Sequence, residues 1–186
     1  MILTDREIKS SIATGLISIT PAPLETAYSS TSVDLTLGST LRLYKPQADG
    51  LETAIDPARA NFNVNKLIES LTDRYEIDDK TGFVLDGKSL VLAWTREGVE
   101  LHQHGRVAAR VEGKSSLARL ELAIHVTAPT IHSGFKASSI QIEIINHGPL
   151  PIKLRTGMPI CQLIFELTHG MPDKAYAGQF LGQTPA

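Results

Sequence analysis

Glu112-Gly113-Lys114-Ser115-Ser116-Leu117-Ala118-Arg119-Leu120, answered further on by Gln141-Ile142-Glu143-Ile144-Ile145-Asn146, decides how this chain is read. The second stretch reads as an apolar strand. The first reads as a strand ending at Val111, a glycine turn, and a short helical segment opening at Ser115 or Ser116. Together they set a cationic, hydroxyl-rich anion site opposite one carboxylate, Glu143. A Glu between Ile142 and Ile144 either points to solvent, the commoner case for a strand charge, or points inward with its pKa raised by desolvation, as a general base requires.

Outward from these stretches the signals are mostly strand-like, over residues 16–19, 33–37, 41–44, 83–85, 90–94, 107–111, 123–127, 139–145, 152–154 and 160–167. Turn glycines punctuate them at Gly38, Gly82, Gly87, Gly98, Gly105, Gly134, Gly148 and Gly157, a spacing that predicts an all-β barrel or sandwich. Thr4-Asp5-Arg6-Glu7 reads as a capping box that opens one short N-terminal helix, with Gly15 as its stop. Residues 46–80 break the rhythm and read as an irregular excursion in which Val64, Leu67, Ile68 and Leu71 support a helical turn or two. Residues 170–186, rich in Gly, Pro and small side chains, read as a mobile C-terminal tail. The expectation is a single domain over residues 1–186, a length at which a chain buries roughly 70% of its unfolded surface.

Composition narrows the chemistry. The formal charge is −2 and Lys and Arg are scattered, so the electrostatic footprint of a DNA- or RNA-binding protein is missing, and any nucleotide handled is expected to be a small molecule. The single Cys161 excludes an intrachain disulfide and a thiolate zinc cage, and in its apolar run it reads as a buried inert thiol. No apolar stretch approaches the ~20 residues of a membrane span, and the charged opening residues do not read as a signal peptide. A cytoplasmic protein without a membrane partner is expected.

Several motifs are excluded by their spacing. Gly113-Lys114-Ser115 is not a P-loop, because the position five residues before Gly113 is Ala108. No His is followed two residues later by Glu and only one Cys is present, so a zinc deaminase is excluded. No paired-His helix and no nucleophile elbow is found. What remains is an anion site in which Lys114 adds charge to hydroxyls and free N–H groups; the bland alternative is a capped helix with a solvent-facing lysine.

These residues resemble a known family. Lys114 to Leu120 in the first stretch, His125-Val126-Thr127-Ala128, Gly134-Phe135, and Glu143 with Asn146 are similar to the dCTP deaminases of the trimeric dUTPase superfamily. So are Met1-Ile2-Leu3-Thr4-Asp5-Arg6-Glu7-Ile8, Ser32-Val33-Asp34-Leu35-Thr36-Leu37-Gly38, and the late strand from Gly157-Met158 to Gln162-Leu163. The resemblance implies a distorted β-barrel of the dUTPase-like type. It also implies hydrolysis of dCTP to dUTP and ammonia without a catalytic metal, in a homotrimer whose sites are shared between subunits. Magnesium would accompany the triphosphate, and zinc is not expected.

By the same resemblance, Glu143 is the general base and proton shuttle for a water attacking C4 of cytosine. Ser115 and the carbonyl of Ala128 position that water, and Arg119 sits beside Glu143. Lys114, Ser115 and Ser116, followed by Leu117 and Ala118, form the triphosphate and pocket wall. Gln141 and Ile142 lie on the nucleoside-binding strand, Gln162 touches phosphate, and Tyr176 and Gln179 belong to a tail segment that closes over the nucleotide.

The chain departs from the family pattern around the sugar and phosphates. His132 stands where Asp is usual, Glu121 where Gly is usual, and Pro129 where many deaminases have His; the tail is short, with Ala175 before Tyr176 where Lys is common. Two other readings follow from the same residues. One is a dUTP pyrophosphatase, or a bifunctional enzyme that yields dUMP; the other is a non-catalytic nucleotide-binding trimer with a regulatory role. Against the first stands His132 in place of the carboxylate on which that hydrolase relies. Against the second stands the retention of Ser115, Arg119 and Glu143.

Overall fold

The computed structural model describes residues 1–46, 54–174, 176–178, 181–182 and 184. Thr4 caps helix α1 (Asp5–Ala13) reciprocally: its hydroxyl accepts from the Glu7 amide, and the Glu7 carboxylate accepts from the Thr4 amide at 2.8 Å. At the other end Gly15, at φ 75°, lets its own N–H reach the Ile12 carbonyl and the Leu16 N–H reach that of Ser11. That pair of bonds is a Schellman stop, which needs a left-handed residue at this position. The helix buries Ile8 completely.

All strand pairs are antiparallel. Strands β1 (Ile17–Thr20), β2 (Val33–Tyr44), β3 (Thr72–Glu76), β4 (Phe83–Leu85), β5 (Ser89–Thr95), β6 (Gly98–Leu101) and β7 (Val107–Gly113) precede a single helical turn, α3 (Ser115–Ala118). Strands β8 (Leu122–Ala123), β9 (Thr130–Ile131), β10 (Lys136–Ala137), β11 (Gln141–Asn146), β12 (Ile152–Leu154) and β13 (Pro159–Leu167) follow. The main sheet runs β8-β11-β5-β2-β13-β7-β9, with β3 added to β2, and it curls into a half-barrel. Strands β1-β6-β10 form a second sheet and β4-β12 a third.

The curl originates in β2. Its first half pairs with β13 and its second half with β5 and β3, and the register to β5 slips between Leu37 and Leu41. Alternation slips at the same place, so that Thr40 and Leu41 are buried in succession. Such a bulge bends a strand and increases its twist. Gly38 permits it, because a Cβ there would lie 3.0 Å from the Trp94 carbonyl oxygen. The concave face then closes over Val33, Leu35, Leu37, Ala93, Ile142, Ile144, Leu163 and Phe165, each 1% exposed or less.

The all-β expectation therefore takes the barrel form, with corrections of detail. Segments 33–37 and 41–44 are one strand, because Gly38 makes a bulge and not a turn. The segment expected at 123–127 shrinks to Leu122–Ala123; β3, β6, β9 and β10 were not foreseen, three of them being too short or too polar to show alternation. The excursion contains helix α2 (Val64–Leu71), whose N-terminal amide of Lys66 donates to the Asn63 side chain at 3.0 Å. It ends at that helix, since Thr72–Glu76 is already sheet. In the tail, the amide of Tyr176 donates to the Ser133 carbonyl at 3.1 Å and that of Gly182 to the Lys136 carbonyl at 2.7 Å. Residues 175, 179–180, 183 and 185–186 of that expectation lie outside the described residues.

Asn146 ends β11 and is fully buried. Its amide donates to the carbonyls of Leu85 (3.2 Å) and Leu150 (2.8 Å) and accepts from the Gly148 N–H (3.0 Å), joining the end of β4 and the loop before β12 to the strand that carries Glu143. Asn146→Ala strips all three groups of their partner, and we expect a loss of about 2–3 kcal/mol in chemical denaturation, against well under 1 kcal/mol for an exposed substitution such as Lys153→Ala.

Candidate functional site

Strand β11 alternates between buried Ile142, Ile144 and Asn146 and half-buried Gln141, Glu143 and Ile145. Glu143 thus sits on the outer face of the half-barrel, yet it is not free in solvent. The long loop after β2 returns over this face as α2, whose Val64 and Ile68 wall one side of a cleft of about 460 Å³. Leu92, Ile140, Ile142 and Phe135 supply further apolar wall, while Gln141, Glu143, His125, His132 and Ala128 supply the polar groups. Tyr176 reaches in from the C-terminal segment. Size and lining suit a ligand as large as a nucleoside, held by few convergent polar groups on an apolar wall.

Glu143 has no hydrogen bond or ion pair among the described residues. In register it faces Leu92, and Leu92 faces Arg42, so two strand spacings, about 10 Å, separate the backbones of Glu143 and Arg42. Arg42 turns instead to the Thr72 hydroxyl at 3.3 Å. Tyr44 shares the outer face; partial burial pushes its phenol above the ordinary range, and the negative charge of Glu143 adds to the effect. A carboxylate held unpaired beside apolar surface can accept a proton from a bound water and return it.

A second, polar cleft of about 310 Å³ lies elsewhere, lined by Lys114, Ser115, Ser116 and Gln162 together with Asp34 and residues Thr26 to Ser29. Lys114 caps α3 without a side-chain bond, and its ammonium is held by Asp34 at 2.5 Å. Gln162 is fixed at both ends: it accepts from the Ser32 hydroxyl at 2.7 Å and donates to the Gly113 carbonyl at 3.1 Å. Because α3 is one turn of four residues, its dipole contributes little, and the hydroxyls with the lysine carry any attraction for anions.

The two clefts share no residue. Within one chain, Glu143, Gln141, Ile142, Ala128, His132 and Tyr176 come together, and so do Lys114, Ser115, Ser116 and Gln162. Leu117 packs partly against the core, Ala118 and Arg119 are exposed, and among the described residues the only bond from the Arg119 side chain is a long one, 3.5 Å, to the Ser115 carbonyl. The expected contact of Arg119 and Ser115 with Glu143 is therefore not made inside a single chain. Gln179 lies outside the described residues.

The sequence did not reveal the cover supplied by Val64 and Ile68, the neighbouring Tyr44, or the hold of Asp34 on Lys114. The last spans 80 positions, and no local pattern encodes such a pairing.

Residues 2–168 match the family model described as dCTP deaminase-like. A dCTP deaminase of Rhodospirillum rubrum is 38% identical over 177 residues, covering 95% of this chain and 88% of that protein. A "dCTP deaminase, dUMP-forming" of Methanosphaera stadtmanae is 34% identical over 188 residues, 98% of this chain and 90% of its own length. Among solved structures, the 2'-deoxycytidine 5'-triphosphate deaminase from Agrobacterium tumefaciens superposes with a TM-score of 0.67 at 21% identity. It aligns with 90% of this chain, which spans about half, 48%, of that longer chain.

The polar cleft makes its own prediction. Lys114→Met removes the cation and also exposes the Asp34 carboxylate to any incoming anion. Binding of inorganic triphosphate, measured by titration calorimetry, should weaken on the order of tenfold or more. Adding Asp34→Asn to that variant should recover part of the loss, because the repelling charge is then gone.

Proposed function

We propose, since this chain belongs to the dCTP deaminase-like family, that it hydrolyses the 4-amino group of dCTP, releasing dUTP and ammonia. The observation that carries this reading is Glu143, an unpaired carboxylate on a strand wall of a nucleoside-sized, largely apolar cleft. A water oriented toward C4 by the Ala128 carbonyl loses a proton to Glu143 as its oxygen bonds to carbon. Glu143 passes this proton to N3, then takes the second proton from the hydroxyl now on C4 and delivers it to the departing amino nitrogen. The C4–N bond breaks as the C4 carbonyl forms, and ammonia leaves. Gln141 and the backbone at Ile142 offer hydrogen bonds to the base edge, and Phe135 and Leu92 shield the reacting centre from bulk water.

The polar cleft supplies what the Glu143 cleft lacks. Ser115 as a water-positioning hydroxyl, Arg119 as the countercharge for the developing anion, and Lys114, Ser116 and Gln162 as phosphate contacts all lie outside the Glu143 cleft in the same chain. We propose that a second copy brings them there, and that the assembly is a homotrimer with each active site between two subunits. The separation of the two half-sites supports that arrangement.

Among the described residues no three His, Cys, Asp or Glu side chains gather, and Asp34 is committed to Lys114. The magnesium we propose would be held mainly by the phosphate oxygens, beside Ser115 and Ser116. Bound there, it neutralises phosphate charge. No helix among the described residues is long and apolar enough to cross a membrane. We propose the cytoplasm as the compartment, which suits the buried thiol of Cys161, whose pKa burial raises well above the ordinary range.

Release of dUMP is the second reading, and the dUMP-forming relative of Methanosphaera motivates it. It requires a group that activates water at the phosphates, and His132 stacks on Tyr176 at 5.5 Å. Chromatography after incubation with dCTP should show dUTP accumulating with ammonia, and added dUTP should persist. Rapid pyrophosphate release from dUTP would establish the second reading instead.

Two variants test the chemistry. Glu143→Gln keeps the shape and loses the base, so ammonia release should fall about 10³-fold or more while nucleotide binding survives. Arg119→Ala should also be poorly active. When the two inactive variants are unfolded, mixed in equal amounts and refolded together, about a quarter of the sites in a ring of three pair an intact Glu143 with an intact Arg119. Ammonia production should return to that extent; a mixture as inactive as its components would show that both side chains act within one chain.

A further inference from the structure

The segment 132–135 is a tight turn, closed by the Phe135 N–H donating to the His132 carbonyl at 3.1 Å, with Gly134 at φ 83°. Only a residue at ease in left-handed backbone suits that third position. The turn is pinned from below: the buried Ser133 hydroxyl donates to the Val107 carbonyl at 2.6 Å, and the Gly134 N–H donates to that of Leu101 at 3.0 Å. It presents its first and last side chains, His132 and Phe135, on the side from which the C-terminal segment approaches.

Tyr176 lies against both. Its ring stacks on His132 with centroids 5.5 Å apart and planes 16° from parallel, and it meets Phe135 at 5.9 Å and 52°. Its backbone N–H donates to the Ser133 carbonyl. The ring also lines the cleft that contains Glu143.

We infer that His132 is a positioning residue that holds Tyr176 of the C-terminal segment in the wall of the Glu143 cleft by stacking on its ring. One face of its imidazole is taken by the tyrosine. A carboxylate at this place has no ring to stack and brings a charge that an apolar contact disfavours. The imidazole thus exchanges a group suited to bind a ligand directly for one that clasps the chain's own tail. Its effect on the ligand passes through Tyr176, which forms part of the wall the nucleotide meets.

Stacking and hydrogen bonding predict opposite orders for two substitutions. His132→Phe keeps a flat ring and loses both nitrogens; His132→Asn keeps a donor and an acceptor and loses the ring. Lys174 is exposed and lies two residues before Tyr176, so tryptic cleavage after Lys174, followed by mass spectrometry on the unliganded protein, reports release of the clasp without any assay of activity. His132→Asn should be cut about fivefold faster than the starting protein, and His132→Phe at close to its rate. Tyr176→Ala should match His132→Asn.

In dCTP deamination, an arm that rests on the proposed function, His132→Asn should raise KM more than His132→Phe does, with kcat carrying little of the difference. A cleavage rate for His132→Asn equal to that of the starting protein, or equal acceleration in both His132 variants, overturns the inference. If the proteolytic order holds while no variant, nor the starting protein, releases ammonia from dCTP, the clasp stands and the deaminase reading falls.

Discussion

The position of every functional group traces back to the bend in β2. A twelve-residue strand cannot serve one flat sheet and also close a barrel, and this one divides its hydrogen bonds between β13 on one half and β3 and β5 on the other. A Cβ at Gly38 would crowd the Trp94 carbonyl at 3.0 Å, where the change of partner occurs. On one side of the bend lies β5 with β11, and so Glu143; on the other lies β13 with β7, and so Lys114 and Gln162. Curvature separates Glu143 from Lys114 and Gln162 and places them in different clefts.

That separation gives the sequence motif a meaning that linear reading does not convey. In the sequence, Glu112 to Leu120 and Gln141 to Asn146 read as two halves of one site, since their chemistry is complementary. In the folded chain they are two half-sites that share no lining residue. In the proposed trimer that complementarity is met by a copy of the chain displaced by rotation, the relation that closes a ring. The retention of Ser115, Arg119 and Glu143 in one sequence is then a constraint on assembly as well as on chemistry.

Legibility followed the length and regularity of each signal. The capping box at Thr4 and Glu7, the stop at Gly15 and the strands at 83–85 and 152–154 were read with their observed bounds, because each depends on neighbours in sequence. Gly38 was misread as a turn, since a bulge and a turn demand the same residue and differ only in what lies across the sheet. Strands of two residues, such as Thr130–Ile131, are too short for alternation to register and exist because β7 offers an edge. Glu143 was left between two orientations. It adopts the outward one, and its seclusion comes from α2, whose apolar face at Val64 and Ile68 was legible while its destination was not.

The cover over Glu143 also explains why an unpaired carboxylate is tolerated there. A fully buried lone charge is prohibitively costly, whereas a half-buried one retains enough water to persist and still lies beside surface that a bound pyrimidine would dry. Arg42, two strands away and turned to Thr72, does not neutralise it. In the proposed trimer the countercharge arrives from Arg119 of another copy. In that arrangement a carboxylate that takes a proton from water and later returns it would meet apolar wall from its own chain and a cation from the next.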